Sequence, residues 1–160
     1  MIVFQNVNVK YLLADQFHLI INLKPIYLCR VLKISWKDKN FMANHNELGK
    51  FGEEIAKKFL EEKGHIILES NWTWANLELD LISMEQSILV FTEVKTRQNA
   101  SFAYPESAVG KKKEKQIYEA AAEYMDRIGH EKEIRFDIIA ITIEPKINIE
   151  HFPDAFFPTW

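Results

Sequence analysis

Between residues 77 and 95 the chain runs Leu-Glu-Leu-Asp-Leu-Ile-Ser-Met, then a polar Glu85-Gln86-Ser87, then Ile-Leu-Val-Phe-Thr-Glu-Val-Lys. Two runs rich in strand-forming residues and split by a short polar break form a β-hairpin. Side chains alternate across a strand, so Leu77, Leu79, Leu81, Val90 and Val94 fall on one face, with Ile82, Leu89 and Phe91 on the other. A strand pair that is apolar on both faces belongs at the centre of a sheet covered on both sides. The expected fold class is therefore α/β, with a mixed sheet of four or five strands flanked by helices.

The rest of the chain supplies those layers. A helix is expected over 47–63, since Leu48, Phe51, Ile55, Ala56 and Phe59 share one face; Asn46 or Asn44 can cap it and Gly64 can end it. A strand follows at 65–70, then the hairpin strands at 77–84 and 88–95. A second helix is expected from 107 to 128, stopping at Gly129. Residues 134–143 are β-branched enough for a buried strand, and 147–151 can add a short one. The order is α-β-β-β-α-β. Residues 1–41 show neither a helical nor an alternating period and stand apart as an N-terminal extension of unassigned structure, with 42–160 as the domain. Met42-Ala-Asn-His-Asn has the character of a protein start, so an upstream start codon is one explanation of the extension; an extra element packed on the domain is the other.

Composition narrows the setting. A single Cys29 cannot form an internal disulfide, which fits a reducing cytoplasm. The longest apolar stretches are broken by Asp15, Asn22, Lys24, Pro25 and Arg30, too often for a membrane span, and the N-terminus lacks the layout of a signal peptide. The net charge of −3 excludes a uniformly basic coat for nucleic acid. Residues 1–41 hold six Lys/Arg against two Asp, so the remaining 14 basic and 21 acidic residues leave 42–160 at −7. Any contact with nucleic acid must be local.

The hairpin also carries charge. If it turns about Gln86-Ser87, Asp80 lies opposite Glu93 and Glu78 opposite Lys95, all on one face. Directly opposed Cβ atoms are roughly 4.5–5.5 Å apart. Two carboxylates at that separation repel unless a cation lies between them or one is protonated. Such a hard, oxygen-rich pair suits Mg²⁺ or Mn²⁺, and Lys95 points the same way, where it can stabilise a developing negative charge. The plainer alternative is a solvated hairpin face bearing ordinary charges. Against it stand Ile82, Leu89 and Phe91 interleaved with those charges, where unpaired carboxylates are costly.

Asp80 followed after twelve residues by Glu93-Val94-Lys95 resembles the PD-(D/E)xK nuclease pattern. The wider series is similar to the YraN-like family of small bacterial proteins, whose fold resembles archaeal Holliday-junction resolvases. It comprises Gly49-Lys50-Phe51-Gly52-Glu53 with Ala56, Ile67-Leu68 with Asn71-Trp72, Glu78-Leu79-Asp80-Leu81-Ile82, residues 90–97 and Arg135-Phe136-Asp137. The likeness covers 44–143. Leu77 departs from it, because the family usually has Gly before Glu-x-Asp. The resemblance implies a restriction-endonuclease-like core, with Asp80, Glu93 and the Val94 carbonyl holding a metal, Lys95 beside the nucleophilic water and Glu53 assisting from the first helix. On helical geometry alone Glu53 is equally a solvated first-turn acid.

Lys111, Lys112, Lys113 and Lys115 crowd the start of the second helix, usually just a solvated face. Lys113 alone shares the stripe of Ile117, Ala120, Tyr124 and Ile128, within about 60°. It therefore has to reach something, either a substrate phosphate or a site carboxylate. Lys111, Lys112 and Arg97 extend a positive zone suited to backbone phosphates. Trp72 and Trp74 can stack on unpaired bases or pack in the core. Asp137 either buttresses the site through Arg135 or ends a strand pairing. His45, His65, His130 and His151 lack ligand spacing and read as ordinary.

The expectation is a Mg²⁺- or Mn²⁺-dependent endonuclease, with DNA ahead of RNA as partner, no membrane partner, and room for a homodimer. A non-catalytic nucleic-acid-binding module on the same fold is the first rival, and a protein-interaction domain, favoured by the −7 of the core, the second.

Overall fold

The computed structural model describes residues 45–99 and 110–157, all within one unit of the chain, Asp38–Trp160. The expected boundary at residue 41, the extension before it and the Asn44 cap lie outside the described residues. Among the described residues the order is α1 (His45–Glu62), β1 (Ile66–Trp74), β2 (Leu77–Glu85), β3 (Ile88–Asn99), α2 (Lys111–Ile128), β4 (Ile134–Glu144) and β5 (Asn148–Phe152). The strands form one sheet in the order β1-β2-β3-β4-β5, with β3 and β4 parallel and every other neighbour antiparallel. This is the mixed α/β sheet of a restriction-endonuclease-like core. Only the β3–β4 pair needs a crossover, and α2 supplies it.

The hairpin register is the one expected from a turn about Gln86-Ser87: Leu81 pairs with Thr92, Ile82 with Phe91 and Glu85 with Ile88. Gln86 takes the positive φ of 56° that so tight a turn demands. Strict alternation fails further along β2. Leu79 belongs to the same buried cluster as Ile82, Leu89 and Phe91, and Leu77 packs against it, whereas alternation put Leu77 and Leu79 on the opposite face. The β2–β3 ladder reaches no further than Leu81–Thr92, while β2 stays paired with β1 through Trp72–Leu79 and Trp74–Leu77. Freed from β3, this end of β2 turns its leucines toward α2. Leu77, the departure from the family pattern, uses its side chain in that packing. Glu78 consequently pairs across with Thr73 and is exposed, instead of opposing Lys95.

One core lies between α2 and the sheet. Ile117, Tyr118, Ala120, Ala121 and Tyr124 of α2 meet Leu79, Ile82, Leu89, Phe91, Phe136 and Ile138. Burying each large side chain here contributes roughly 1.5–3 kcal/mol. Phe136 stacks on Phe91 and Phe156 at centroid distances of 5.4 Å each, with the Tyr118 ring edge-on at 4.7 Å. Trp72 lies within β1 rather than after it, and it packs edge-on against Tyr124 under the Arg127 guanidinium. It is half-buried and packs against the core. α2 begins at Lys111, later than the expected 107, with Gly110 as an extended N-cap, and it ends at Gly129 with φ 63° and ψ 38°, a left-handed position where glycine carries no Cβ penalty.

On the other face, α1 buries Leu48, Phe51, Ile55, Ala56 and Leu60. Asn46, one of the two expected caps, is the second residue of the helix and not its cap. Close approach of α1 to β3 depends on Gly52. A Cβ there would overlap the Thr96 hydroxyl and lie 2.8 Å and 2.9 Å from Thr96 Cβ and Cγ2. Gly52→Ala should therefore destabilise the domain by about 1–3 kcal/mol despite the gain in helix propensity, because the helix or the strand must shift. Equal melting temperatures for the two proteins would show that the helix does not rest on this contact.

Candidate active site

Asp80, Glu93, Lys95 and Lys113 come together where β2 parts from β3. Past Leu81 the backbone of β3 loses its β2 partner, and the Asp80 side chain takes over: its Oδ2 accepts the Val94 N–H at 2.7 Å. A carboxylate can bridge that gap because it reaches further than a backbone carbonyl and is a stronger acceptor. Glu93 is buried on the face that carries Phe91, beneath the start of α2. Lys95 Nζ donates to Glu93 Oε1 at 2.5 Å, and Lys113 Nζ lies 3.3 Å from Oε2. Each oxygen of Glu93 thus faces an ammonium group.

Asp80 is less well served. Burial, and then the negative charge of Glu93, push its carboxyl up to about 7, although the Val94 N–H, Lys113 and Lys95 all pull it down. A half-buried and a buried carboxylate that repel each other, attended by ammonium groups that only partly offset the repulsion, leave room for further positive charge. All the donors are hard oxygens. The site fits a small divalent ion such as Mg²⁺ or Mn²⁺, which takes one or two carboxylates and completes its shell with water and phosphate. Among the described residues no group of three or more His, Cys, Asp or Glu side chains is arranged to hold a metal by itself. A bound ion would lean on Asp80, Glu93, a carbonyl and its waters. Val94 meets the site through its amide, which donates to Asp80.

Glu53 follows the glycine that packs on Thr96, one residue beyond Lys95, and it is half-buried where Glu54 is exposed. The carboxylate acting on Asp80 is that of Glu93. Arg97 is half-buried further along β3, while Lys111 and Lys112 are exposed at the first turn of α2. Lys113, also in that first turn, reaches the site carboxylate Glu93.

A profile of the uncharacterised protein family UPF0102 matches residues 52–141. A UPF0102 protein of Flavobacterium psychrophilum is 47% identical over 117 residues, covering 72% of this chain and 98% of the relative. One from Bacteroides thetaiotaomicron is 44% identical over 118 residues, with 73% and 98% covered. The chain belongs to the UPF0102 family. A member from Dictyoglomus turgidum still shares 40% identity over 117 residues. This is the YraN-like family of the PD-(D/E)xK superfamily, so the likeness read from the motif series holds. The UPF0102 match spans α1 from Gly52, the hairpin and most of β4, and so contains every residue of the cluster around Glu93.

A second constellation in this UPF0102 protein is built on the Arg135–Asp137 pair, whose further partners the sequence did not reveal. On the opposite face of the sheet, Asp137 is fully buried and receives Arg135 Nε on Oδ1 at 2.8 Å and Arg135 Nη2 on Oδ2 at 2.9 Å. His151 Nε2 lies 2.8 Å from Oδ2, and the Asp154 N–H donates to Oδ1 at 3.0 Å. Burial alone would raise the Asp137 carboxyl, but these donors outweigh it and hold it down to about 2. Arg135 reaches on to Glu85 at 2.6 Å, and Lys63 Nζ donates to His151 Nδ1 at 3.0 Å. Asp137 pairs with Thr92, whose side chain points away from Glu93, so it fastens β5 and the turn at Asp154 rather than buttressing the site. His65 sits between Ser83 at 3.0 Å and Glu85 at 3.6 Å, with burial lowering its pKa. That order mimics a nucleophile, base and acid, but Ser83 is fully buried and no substrate reaches it. The signal available in the sequence was Arg135-x-Asp137, two opposite charges on one face of an apolar strand.

Proposed function

We propose that this protein is a Mg²⁺- or Mn²⁺-dependent endonuclease that hydrolyses nucleic-acid phosphodiesters, with DNA as the first candidate and selection by substrate structure. The observation that carries the reading is half-buried Asp80 beside buried Glu93, with Lys95 on Glu93, set where a β-hairpin opens. Asp80, Glu93 and the Val94 carbonyl would hold the ion. When bound, it would polarise the phosphoryl oxygen and acidify a water. Lys95 keeps Glu93 fixed through one proton and has two left to offer a negatively charged phosphate oxygen. Glu53 would orient water from the α1 side. Arg97, Lys111 and Lys112 would bind flanking phosphates and fix the strand's position without reading bases. No helix among the described residues is long and apolar enough to cross a membrane.

One observation favours a second reading. Glu93 is attended by both Lys95 and Lys113, so a nucleic-acid-binding module on the same fold would be stable without turnover. The deciding experiment incubates the protein with Mn²⁺, Mg²⁺ or EDTA and labelled single-stranded, duplex, flapped and four-way-junction DNA, with RNA counterparts. Metal-dependent cleavage of one of these is expected. Tight binding without cleavage makes it the module, and neither binding nor cleavage favours a protein-interaction domain.

Binding should also be local. Lys111→Ala with Lys112→Ala should weaken nucleic-acid binding and lower the slope of log K against log salt by about 0.9 per lost phosphate contact on duplex DNA. Cleavage should merely slow. A salt slope identical to wild type would remove these two lysines from the interface.

A further inference from the structure

We propose that Lys113 is an exchangeable counter-ion, which occupies Glu93 in the metal-free protein and is handed to a substrate phosphate when a divalent cation takes its place. The inference rests on the metal-dependent reading above and adds a coupling between metal loading and nucleic-acid binding. Glu93 has two oxygens, and each faces an ammonium: Lys95 on Oε1 at 2.5 Å and Lys113 on Oε2 at 3.3 Å. An ion bridging Asp80 and Glu93 must sit about 2.0–2.1 Å from an oxygen that one lysine now attends. Oε2 is the oxygen given up, because its partner stands 0.8 Å further off and belongs to a different element, whereas Lys95 is two residues along the same strand. Lys113 also has somewhere to go. Its side chain is 34% exposed, against 3% for Glu93, and it stands in the first turn of α2 beside the exposed Lys111 and Lys112. Released from Glu93, its ammonium joins the two groups already placed to meet phosphate.

Thermodynamic linkage fixes the consequences. If metal frees Lys113 for phosphate, nucleic acid must tighten metal binding by the same factor. In the metal-free protein, by contrast, Lys113 is committed to Glu93 and adds little to nucleic-acid affinity. This separates it from Lys111 and Lys112, which act with or without metal. Lys113→Met keeps the apolar stem that packs along α2 and removes only the charge.

The test measures Mn²⁺ affinity by calorimetry without nucleic acid, for wild type, Lys113→Met and Lys115→Met. Lys115 serves as control because it sits on the same helix but pairs with Glu119. Lys113→Met should bind Mn²⁺ at least about 3-fold tighter than wild type, while Lys115→Met stays within about 1.5-fold, the difference expected between a lysine in contact with the ligand oxygen and one screened by solvent. A second readout is anisotropy of a labelled four-way junction, with and without Ca²⁺. Lys113→Met should show a smaller gain than wild type on adding Ca²⁺. Unchanged or weaker Mn²⁺ binding in Lys113→Met, or an equal change in Lys115→Met, overturns the exchange and leaves the carboxylate site standing. Absence of Mn²⁺ binding by wild type overturns the metal-dependent reading itself, and the exchange with it.

Discussion

Lys95→Ala should reduce Mg²⁺-dependent cleavage by about 10² or more while leaving nucleic-acid binding within about two-fold, the scale of removing one group that stabilises the transition state. The asymmetry follows from its position. Lys95 is half-buried and its ammonium lies on Glu93, so it contributes little to the outer surface that meets flanking phosphates. Its charge matters where negative charge develops. Single-turnover cleavage and equilibrium binding, measured on the same labelled substrate, separate the two effects. If both fall together by the same factor, Lys95 is a binding group and the mechanism proposed for it is wrong. The fold should survive the substitution, because Lys113 still attends Glu93.

Asp137→Ala should be the most damaging substitution for stability, costing about 3–5 kcal/mol. It removes the common acceptor of Arg135, His151 and the Asp154 N–H, leaving a half-buried guanidinium with Glu85 alone. For a domain of this size the melting temperature should drop by about 10 to 20 °C. The same residue sets an acid limit. Its carboxyl is held at about 2 against an ordinary 3.8, so the folded state releases this proton more readily than the unfolded chain. The associated stability, about 2 kcal/mol, is fully present above pH 4 and is lost as pH falls toward 2. Acid unfolding of wild type should show that loss, and Asp137→Asn should not. A variant that unfolds at the same temperature and with the same acid profile as wild type would mean that β5 is held by its strand pairing alone.

The hairpin was legible because its polar break fixes the turn and the turn fixes the register, so Ile82 opposite Phe91 needed nothing beyond local rules. Leu79 was not legible. Its face depends on β2 leaving β3 while staying with β1, a choice made by Trp72 and α2 and invisible in the alternation of β2 itself. At the start of α2 the described residues begin with Gly110, an extended N-cap, and the expected turn over 107–109 lies outside them. Within the site, the stripe position of Lys113 showed that it must reach a partner, but choosing Glu93 over a phosphate needed the helix in place on the sheet. His65 and His151 looked solitary because their partners are distant in sequence. β5 runs back along β4, and only that antiparallel return sets His151 beside Asp137.

The central claim is that Asp80 and Glu93 form a metal site, and Mn²⁺ calorimetry on wild type and Asp80→Asn, paired with melting in EDTA, tests it most directly. Asparagine keeps an acceptor for the Val94 N–H but removes the charge that burial and Glu93 oppose. With the Asp80 carboxyl held up at about 7 against 3.8, and with allowance for its partial exposure to solvent, the metal-free variant should be more stable than wild type by about 1–3 kcal/mol at pH 8. Asp80→Asn should melt at a higher temperature and lose Mn²⁺ binding. Asp80→Asn binding Mn²⁺ with wild-type affinity would contradict that claim.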